Sequence, residues 1–230
     1  MKAFLLAAGA GTRLKPLTDS IPKCLVPIRG KPLLQIWLEL LRKHGVTEVL
    51  INVHAHAETV RRFVSDRSLG LQITVFEEAQ LLGSAGTVAA NRDWIAGDPD
   101  YWVLYADVLT NVNLFEMLRF HLCHPSAATL AVYRVPDPQR CGILTLDETG
   151  RVLAFVEKPK NPSSDLAFAG ILVGTQALFD AIPSSRPADI GTDVLPRLAG
   201  HMFAYPMPDF LLDIGTIENY TRAPTVWEGA

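Results

Sequence analysis

The order of apolar segments is the feature that most limits how this chain can fold. In the first half, short apolar runs typical of strands alternate with longer segments whose apolar residues follow helical spacing. Parallel strands need a long crossover between them, and that crossover is usually a helix. The pattern therefore predicts an α/β fold with a Rossmann-like, mixed, mostly parallel central sheet flanked by helices.

One helix has clear signals at both ends, because Pro32 is suited to its first turn and Gly45 to its end. Its apolar positions are Leu33, Leu34, Trp37, Leu38 and Leu41. Further helices are predicted at residues 58–64 and 114–121, the second with Phe115, Leu118 and Leu122 as its inner face. Strands are predicted at residues 2–8, 49–53, 71–76 and 101–105.

After residue 126 the predicted strands follow one another with fewer helices between them. The segment from Asp147 to Gly150 has the composition of a hairpin turn. No linker composition interrupts the chain, so we predict one domain, 1–230, whose second part is smaller and richer in strands. Strands are predicted at residues 127–135, 142–146, 152–156, 168–173, 203–205 and 210–212, and a closing helix at 217–223.

Charge and cysteine content exclude several classes of protein. The chain has 230 residues, 49% of them hydrophobic, and a formal net charge of -3, which argues against general binding to nucleic acid or an anionic membrane. Cys24, Cys123 and Cys141 form no C-x-x-C pair, and no apolar run is long enough to span a bilayer. We therefore expect a cytoplasmic protein.

A glycine-rich loop follows directly after the first predicted strand. Gly9 and Gly11 have no Cβ, so the backbone can approach phosphate groups closely there, and Arg13 and Lys23 add positive charge. A dinucleotide fingerprint would need a small residue at Leu14, and a Walker loop would need Gly-Lys-Ser/Thr. Neither is present, which disfavours an NAD-dependent dehydrogenase.

Two aspartates stand where apolar runs end. Asp107 follows the run 101–105, and Asp213 precedes Gly215 after the run 210–212. Ligands of α/β sheets bind at the carboxyl ends of strands, and Mg²⁺ prefers one or two carboxylates together with substrate oxygens. Each aspartate could also be an ordinary turn residue. His54 and His56 form an H-x-H pair, but a zinc site there lacks a third ligand.

The run from Gly9 to Thr18, followed by Pro22 and Lys23, resembles the signature of the sugar-nucleotide pyrophosphorylases, the glucose-1-phosphate, mannose-1-phosphate and heptose-1-phosphate nucleotidyltransferases. The resemblance covers residues 1–223. It implies a GT-A-like nucleotidyltransferase fold with a nucleotide-binding half, about 1–125, and a sugar-binding half, about 126–230. It also implies two small-molecule substrates, a nucleoside triphosphate and a sugar 1-phosphate, and Mg²⁺ as cofactor.

The resemblance implies that Arg13 and Lys23 neutralise the triphosphate and that Asp107 and Asp213 hold the metal. Where the family usually has glycine before the first aspartate, this chain has Ala106. The nucleotide-binding residues that it implies are Leu6, Ala7, Ala8, Gly9, Gly11, Thr12, Arg13, Lys23, Glu78, Gly83, Ser84, Ala85 and Asp107.

On the sugar side, Glu157-Lys158-Pro159 resembles the family segment whose glutamate meets sugar hydroxyls and whose lysine meets the sugar phosphate. Lys158 is therefore a third candidate catalytic residue, although an exposed ion pair would have the same sequence. Gly142 and Gly170 match family glycines that let the backbone close on the sugar. Either glycine could instead mark a bulge.

Residues 77–87 resemble the segment that holds the base and ribose, in the form typical of the GDP-mannose and GDP-heptose branch. Guanine is therefore favoured, with Glu78 or Glu77 as hydrogen-bond acceptor, unless both belong to a solvated acidic turn. Uridylyl or thymidylyl transfer to another sugar 1-phosphate and a non-catalytic nucleotide-sugar-binding module stay open. We expect neither the β-helix nor the acyltransferase extension that some relatives carry, and we therefore expect a monomer or homodimer.

Overall fold

A computed structural model describes residues 1–67 and 69–229 of the chain. Its helices are α1 (Leu33–Lys43), α2 (Ala57–Asp66), α3 (Ser84–Ala90), α4 (Arg92–Ile95), α5 (Leu114–Cys123), α6 (Gln176–Asp180) and α7 (Ile217–Val226). Its strands are β1 (Lys2–Leu6), β2 (Pro27–Ile28), β3 (Lys31–Pro32), β4 (Glu48–Val53), β5 (Gln72–Glu77), β6 (Asp100–Tyr105), β7 (Val108–Thr110), β8 (Ala128–Arg134), β9 (Gly142–Leu146), β10 (Val152–Glu157), β11 (Leu166–Thr175), β12 (Met202–Pro206) and β13 (Leu211–Asp213).

The chain forms two compact units, each assembled from separate segments. The first unit consists of Met1–Leu81, Leu104–Leu114 and the residues from Asp209 onward. The second unit consists of Leu82–Val103 and Phe115–Pro208. The division of the chain into a nucleotide half and a sugar half near residue 125 stays a prediction.

In the first unit, β4 lies between β1 and β5 and pairs with both in parallel. Val49, Leu50, Ile51 and Val53 of β4 are at most 1% exposed, as expected for a parallel strand covered on both faces. The apolar face predicted for α1 is buried as a whole, and the indole nitrogen of Trp37 donates to the carbonyl of Val108 at 2.8 Å. β7 and β13 form a separate antiparallel pair.

In the second unit, β8 pairs with β11 in antiparallel and with β12 in parallel, and β9 pairs with β10 and β11 in antiparallel. The predicted hairpin joins β9 to β10. The Asp147 carboxylate accepts hydrogen bonds from the backbone amides of Thr149 and Arg151, and Gly150 takes a φ of 83° that favours glycine.

The α/β class with a mixed sheet and flanking helices is confirmed, and the predicted strands and helices are present with ends shifted by a few residues. Short elements without a strong pattern were missed, namely β2, β3, β7, α4, α6, the 3-10 helices and the π-helix Ile190–Val194. Within residues 1–67 and 69–229, no helix combines the length and the hydrophobicity needed to cross a bilayer.

The inner face predicted for α5 is wrong. Phe115 is 62% and Leu122 63% exposed, and Leu118 is only partly buried. The buried positions are Leu114, Met117 and His121, which also follow helical spacing. The buried face includes a polar residue, because the imidazole of His121 is hydrogen-bonded to Thr129 and Asp100. Hydrophobicity alone therefore selected the wrong side of this helix.

This correction predicts different stabilities for two truncations in α5. Met117→Ala is expected to lower the free energy of unfolding by about 2–5 kcal/mol because Met117 is fully buried. Leu122→Ala, the matched control on the exposed side, is expected to change it by less than about 1 kcal/mol. Urea denaturation of both variants measures the difference. Equal losses of unfolding free energy would support the face that the sequence predicted, with Phe115, Leu118 and Leu122 inside.

Candidate functional site

The glycine-rich loop begins where β1 ends and continues into a 3-10 helix, Thr12–Leu14. Gly11 takes a left-handed conformation with a φ of 63°. A Cβ at Gly11 would lie 2.9 Å from the Thr18 methyl group, and the Thr18 hydroxyl donates to the Gly11 carbonyl at 2.8 Å. The loop is therefore held against the following segment, and its shape requires glycine at this position.

Lys23 and Asp107 form an ion pair in the first unit. Lys23 begins a 3-10 helix after Pro22, and Asp107 follows β6. The ammonium nitrogen of Lys23 lies 2.5 Å from a carboxylate oxygen of Asp107, and the Lys23 side chain is only 10% exposed. The two residues are 84 positions apart in sequence, so the tertiary structure brings them together.

The antiparallel pairing of β7 with β13 brings Asp213 next to Asp107. Asp213 is paired with Val108, and the amide of Ile214 donates to the Asp107 carbonyl at 2.8 Å. A Cβ on Gly215 would lie 2.7 Å from a carboxylate oxygen of Asp213 and 2.8 Å from the guanidinium of Arg13. Glycine at position 215 therefore allows both charged groups to approach the backbone closely.

The pKa of the Asp213 carboxyl is raised above its ordinary value, mainly because burial disfavours the charged form and further because Asp107 is negatively charged. Lys23, the amide of Gly215 and Arg13 act in the opposite direction. Arg13, Lys23, Asp107 and Asp213, to which the resemblance gives roles at a triphosphate and its metal, thus form one electrostatic cluster. We call these four residues the charged cluster.

The charged cluster fits a divalent cation. Two carboxylates that destabilise each other's charge would be stabilised by a cation between them. Among the described residues there is no group of three or more His, Cys, Asp or Glu side chains arranged to hold a metal. A pair of carboxylates completed by substrate oxygens is the arrangement that Mg²⁺ prefers over an all-protein cage.

The structure separates the two glutamates that the sequence left as alternatives. Glu78 is 3% exposed, and its carboxylate accepts a hydrogen bond from the Asn52 side chain at 2.8 Å. Glu77 is exposed and pairs with Arg61 at 2.6 Å. Glu77 is therefore solvated, although it ends strand β5 and is not in a turn, and the interpretation as a solvated acidic turn is wrong for Glu78.

Asn52 was not among the candidates, although a polar residue inside an apolar strand is a signal that can be found in sequence. Its side-chain oxygen also accepts from the amide of Ala7 at 2.7 Å. His54 is hydrogen-bonded to the Glu78 carbonyl, and His56 stands at the first position before α2 without a side-chain capping bond.

In the second unit, Glu157 lies beside two glycines. Gly142 is its partner in the β9–β10 pair, and a Cβ there would lie 2.8 Å from the Glu157 carboxylate and collide with Phe155. A Cβ on Gly191 would lie 2.9 Å from the same carboxylate. Lys158 is 66% exposed, with its ammonium nitrogen 3.4 Å from Glu157. The roles of Glu157 and Lys158 toward a sugar 1-phosphate stay a prediction.

The Gly83–Ala85 segment contacts residues 188–190 within the second unit. The carbonyl of Ala188 accepts from the amides of Ala85 and Gly86 and occupies the space that a Cβ on Gly83 would need. The Ser84 hydroxyl donates to Asp189 at 2.8 Å. Asp189 was not among the residues predicted from the sequence. The one sequence feature that could have indicated it is a glycine, Gly191, two residues later.

Two further positions are explained locally. Gly170 has a φ of 72° and lies at the irregularity in the β11–β8 pairing between Phe168 and Leu172, which matches the bulge alternative. Ala106 is 1% exposed, and its amide donates to the Leu6 carbonyl at 3.0 Å. The methyl group that replaces the usual glycine is therefore buried.

An α/β fold with a glycine-rich loop, and with two carboxylates at strand ends beside two cations, is typical of proteins that bind nucleotides. Comparison with known proteins agrees. The family model described as nucleotidyl transferase matches residues 2–227, so the chain belongs to the nucleotidyl transferase family.

Two plant proteins are similar over most of the chain. "Probable mannose-1-phosphate guanylyltransferase 1" of Oryza sativa subsp. japonica is 39% identical over 228 residues, and mannose-1-phosphate guanylyltransferase 1 of Arabidopsis thaliana is 37% identical over 228 residues. Each comparison covers 96% of this chain but 63% of the relative's length.

Among solved structures, HddC from Yersinia pseudotuberculosis complexed with GMP-PN superposes with a TM-score of 0.82 at 25% identity. The superposition covers 97% of this chain and 98% of HddC.

The raised pKa of Asp213 predicts a pH-dependent gain in stability for Asp213→Asn. The pKa of Asp213 in the folded protein lies above its ordinary value, so ionisation of this carboxyl destabilises the fold. The destabilisation is complete at pH values above the raised pKa and absent at pH values below the ordinary pKa. In buffer with EDTA, Asp213→Asn is therefore expected to have a higher Tm than the parent protein at pH 7, with the gain vanishing as the pH falls. Calorimetry measures both.

The control is Asp19→Asn, which changes a carboxylate that is 55% exposed. It is expected to leave Tm nearly unchanged across the same pH range. A Tm of Asp213→Asn below that of the parent at neutral pH would contradict the electrostatic interpretation.

Proposed function

We propose that this chain transfers a guanylyl group from GTP to a sugar 1-phosphate of the mannose or manno-heptose type, giving a GDP-sugar and pyrophosphate for nucleotide-sugar biosynthesis. The charged cluster is the observation that carries the proposal, because it combines two cations for phosphates with two carboxylates for a metal. The names of the plant relatives and the GMP-PN in the HddC complex support the choice of guanine.

The chemistry asks the protein mainly for positioning and charge neutralisation. A phosphate oxygen of the sugar 1-phosphate attacks the α-phosphorus of GTP, the new P–O bond forms, and the bond to the β-phosphate oxygen breaks. The attacking oxygen is already anionic, so no general base is required. This agrees with a cluster made of cations and metal-binding carboxylates.

Each member of the charged cluster has a role in this proposal. Arg13 and Lys23 bind the β- and γ-phosphates and stabilise the charge that develops on departing pyrophosphate. Asp107 and Asp213 would hold Mg²⁺, which when bound supplies further neutralisation of phosphate charge. Lys23 also donates to Asp107, so the same ammonium group is positioned between a carboxylate and the phosphates that we propose it binds.

The second unit provides groups for the other substrate. Glu157 is suited to accept hydrogen bonds from sugar hydroxyls, and the exposed ammonium of Lys158 to bind the sugar phosphate. Gly142 and Gly191 leave space beside the Glu157 carboxylate that a side chain would fill. The position of this carboxylate therefore depends on both glycines.

We further infer that the protein works in the cytoplasm. Cys24, Cys123 and Cys141 are free thiols, which suits a reducing compartment. Burial raises the pKa of the Cys24 thiol to about 12, so this cysteine next to Lys23 is inert as a nucleophile at neutral pH.

Release of pyrophosphate from GTP, measured with mannose, manno-heptose and glucose 1-phosphates, tests the proposal. Lys23→Ala is expected to lower kcat by about 10²–10³-fold, as removal of one charge-stabilising donor does in other enzymes, with an unchanged circular dichroism spectrum. Lys15→Ala, the control, removes a lysine that is 60% exposed and is expected to keep kcat within about twofold. Release at the parental rate by Lys23→Ala, or release that persists in EDTA, would refute the assignment.

A second variant tests the sugar side. Lys158→Ala is expected to raise KM for the sugar 1-phosphate by about tenfold, because a charge-assisted hydrogen bond to phosphate is lost, and to leave the Kd for GTP unchanged. Steady-state kinetics and calorimetric titration measure the two constants. Lys160→Ala is the matched control nearby, and an equal effect of both changes would mean that Lys158 has no specific role.

A further inference from the structure

Asn52 is a buried amide in an apolar strand. Asn52 lies in β4 and is 5% exposed. Its neighbours Ile51 and Val53 are at most 1% exposed. A buried amide without hydrogen bonds destabilises a fold, so its presence requires partners on both of its polar atoms. The partners of this residue therefore show what it does.

The two polar atoms of Asn52 bind groups of opposite character. The oxygen accepts from the amide of Ala7 at 2.7 Å, and the nitrogen donates to the carboxylate of Glu78 at 2.8 Å. The Ala7 amide can only donate and the Glu78 carboxylate can only accept, so the side-chain amide of Asn52 fits in one orientation. The orientation is thus decided by the chemistry of the partners.

The position of Asn52 explains why it reaches both partners. In the parallel pairs of the first unit, Asn52 is opposite Leu6 of β1 and opposite Phe76 of β5. Ala7 is the first residue after β1, and Glu78 is the first after β5, where its amide donates to the Val53 carbonyl at 2.8 Å. One side chain therefore connects the start of the glycine-rich loop to the buried glutamate.

We propose that Asn52 is a positioning residue that sets the preference for guanine by holding the Glu78 carboxylate in place relative to the Ala7 amide. Guanine presents two neighbouring N–H donors, on N1 and on the 2-amino group, which one carboxylate accepts together. Adenine presents an acceptor at N1, which a carboxylate disfavours. This inference rests on the proposed function, in which Glu78 is the acceptor for the base.

The variant Asn52→Asp separates the two hydrogen bonds. An aspartate keeps the acceptor for the Ala7 amide but replaces the donor to Glu78 with a second negative charge. Two buried carboxylates repel each other, so Glu78 is expected to move or to become protonated. The affinity for GTP should then fall by about tenfold, and that for inosine triphosphate, which lacks the 2-amino group, should fall less.

The readout is calorimetric titration of GTP and inosine triphosphate with Mg²⁺ and without sugar phosphate, together with kcat and KM in the complete reaction. The ratio of the two affinities should fall toward one in Asn52→Asp, and the loss should appear in KM for GTP rather than in kcat. Asn111→Asp is the matched control, because Asn111 also accepts a backbone amide, that of Phe210 at 2.9 Å. Its ratio should equal the parental one.

A double variant separates positioning from stability. Asn52→Asp combined with Glu78→Gln restores an amide–carboxylate hydrogen bond with the roles exchanged, so Tm should recover toward the parental value. The preference for GTP over inosine triphosphate should not recover, because a neutral amide now stands where the carboxylate stood. Recovery of both would show that Asn52 acts on stability alone and would overturn the inference.

The remaining outcomes distinguish the inference from the proposed function. A parent protein that binds GTP and an Asn52→Asp variant with the parental ratio would overturn the inference and leave the function standing. A parent protein that binds neither nucleotide would overturn the proposed function, and the inference with it. A ratio that collapses in Asn52→Asp and stays collapsed in the double variant would support both.

Discussion

Two like-charged carboxylates held close together are the constraint on which the site in the first unit depends. Pairing of β7 with β13 keeps Asp107 and Asp213 adjacent, so their charges raise the free energy of the fold unless something offsets them. Lys23 and Arg13 offset part of this cost. A site arranged in this way is prepared for a cation, which would offset the charge of both carboxylates, while Lys23 and Arg13 supply the positive charge that phosphates need.

Close approach of backbone to charged side chains recurs in both units, and glycine makes it possible. Gly215 admits Asp213 and Arg13, and Gly142 and Gly191 admit the Glu157 carboxylate. In these three places the absence of a Cβ matters more than backbone freedom, since each glycine has an ordinary negative or extended φ. Glu157 ends β10 and Asp213 ends β13, so regular secondary structure positions both carboxylates, which is what a binding site requires.

Local patterns predicted the elements well where one signal was strong. The buried face of α1 and the hairpin from Asp147 to Gly150 were found because helical spacing and turn residues act within a few positions. The buried face of α5 was missed because it includes His121, whose imidazole is hydrogen-bonded to Thr129 and Asp100. A hydrophobicity pattern does not reveal hydrogen-bond partners of this kind. Glu77 and Glu78 were indistinguishable in sequence for the same reason, since burial depends on neighbours from other strands.

The sequence by itself determined the class of fold, the glycine-rich loop and the residue types that the charged cluster needs, because each depends on composition and spacing over short distances. Only the tertiary structure decided which of these residues meet. Lys23 and Asp107 are 84 positions apart, Ser84 and Asp189 are 105 apart, and Asn52 connects Ala7 to Glu78 across three strands. Hydrogen bonds and ion pairs depend on ångström distances, and those distances exist only after the strands have paired in register.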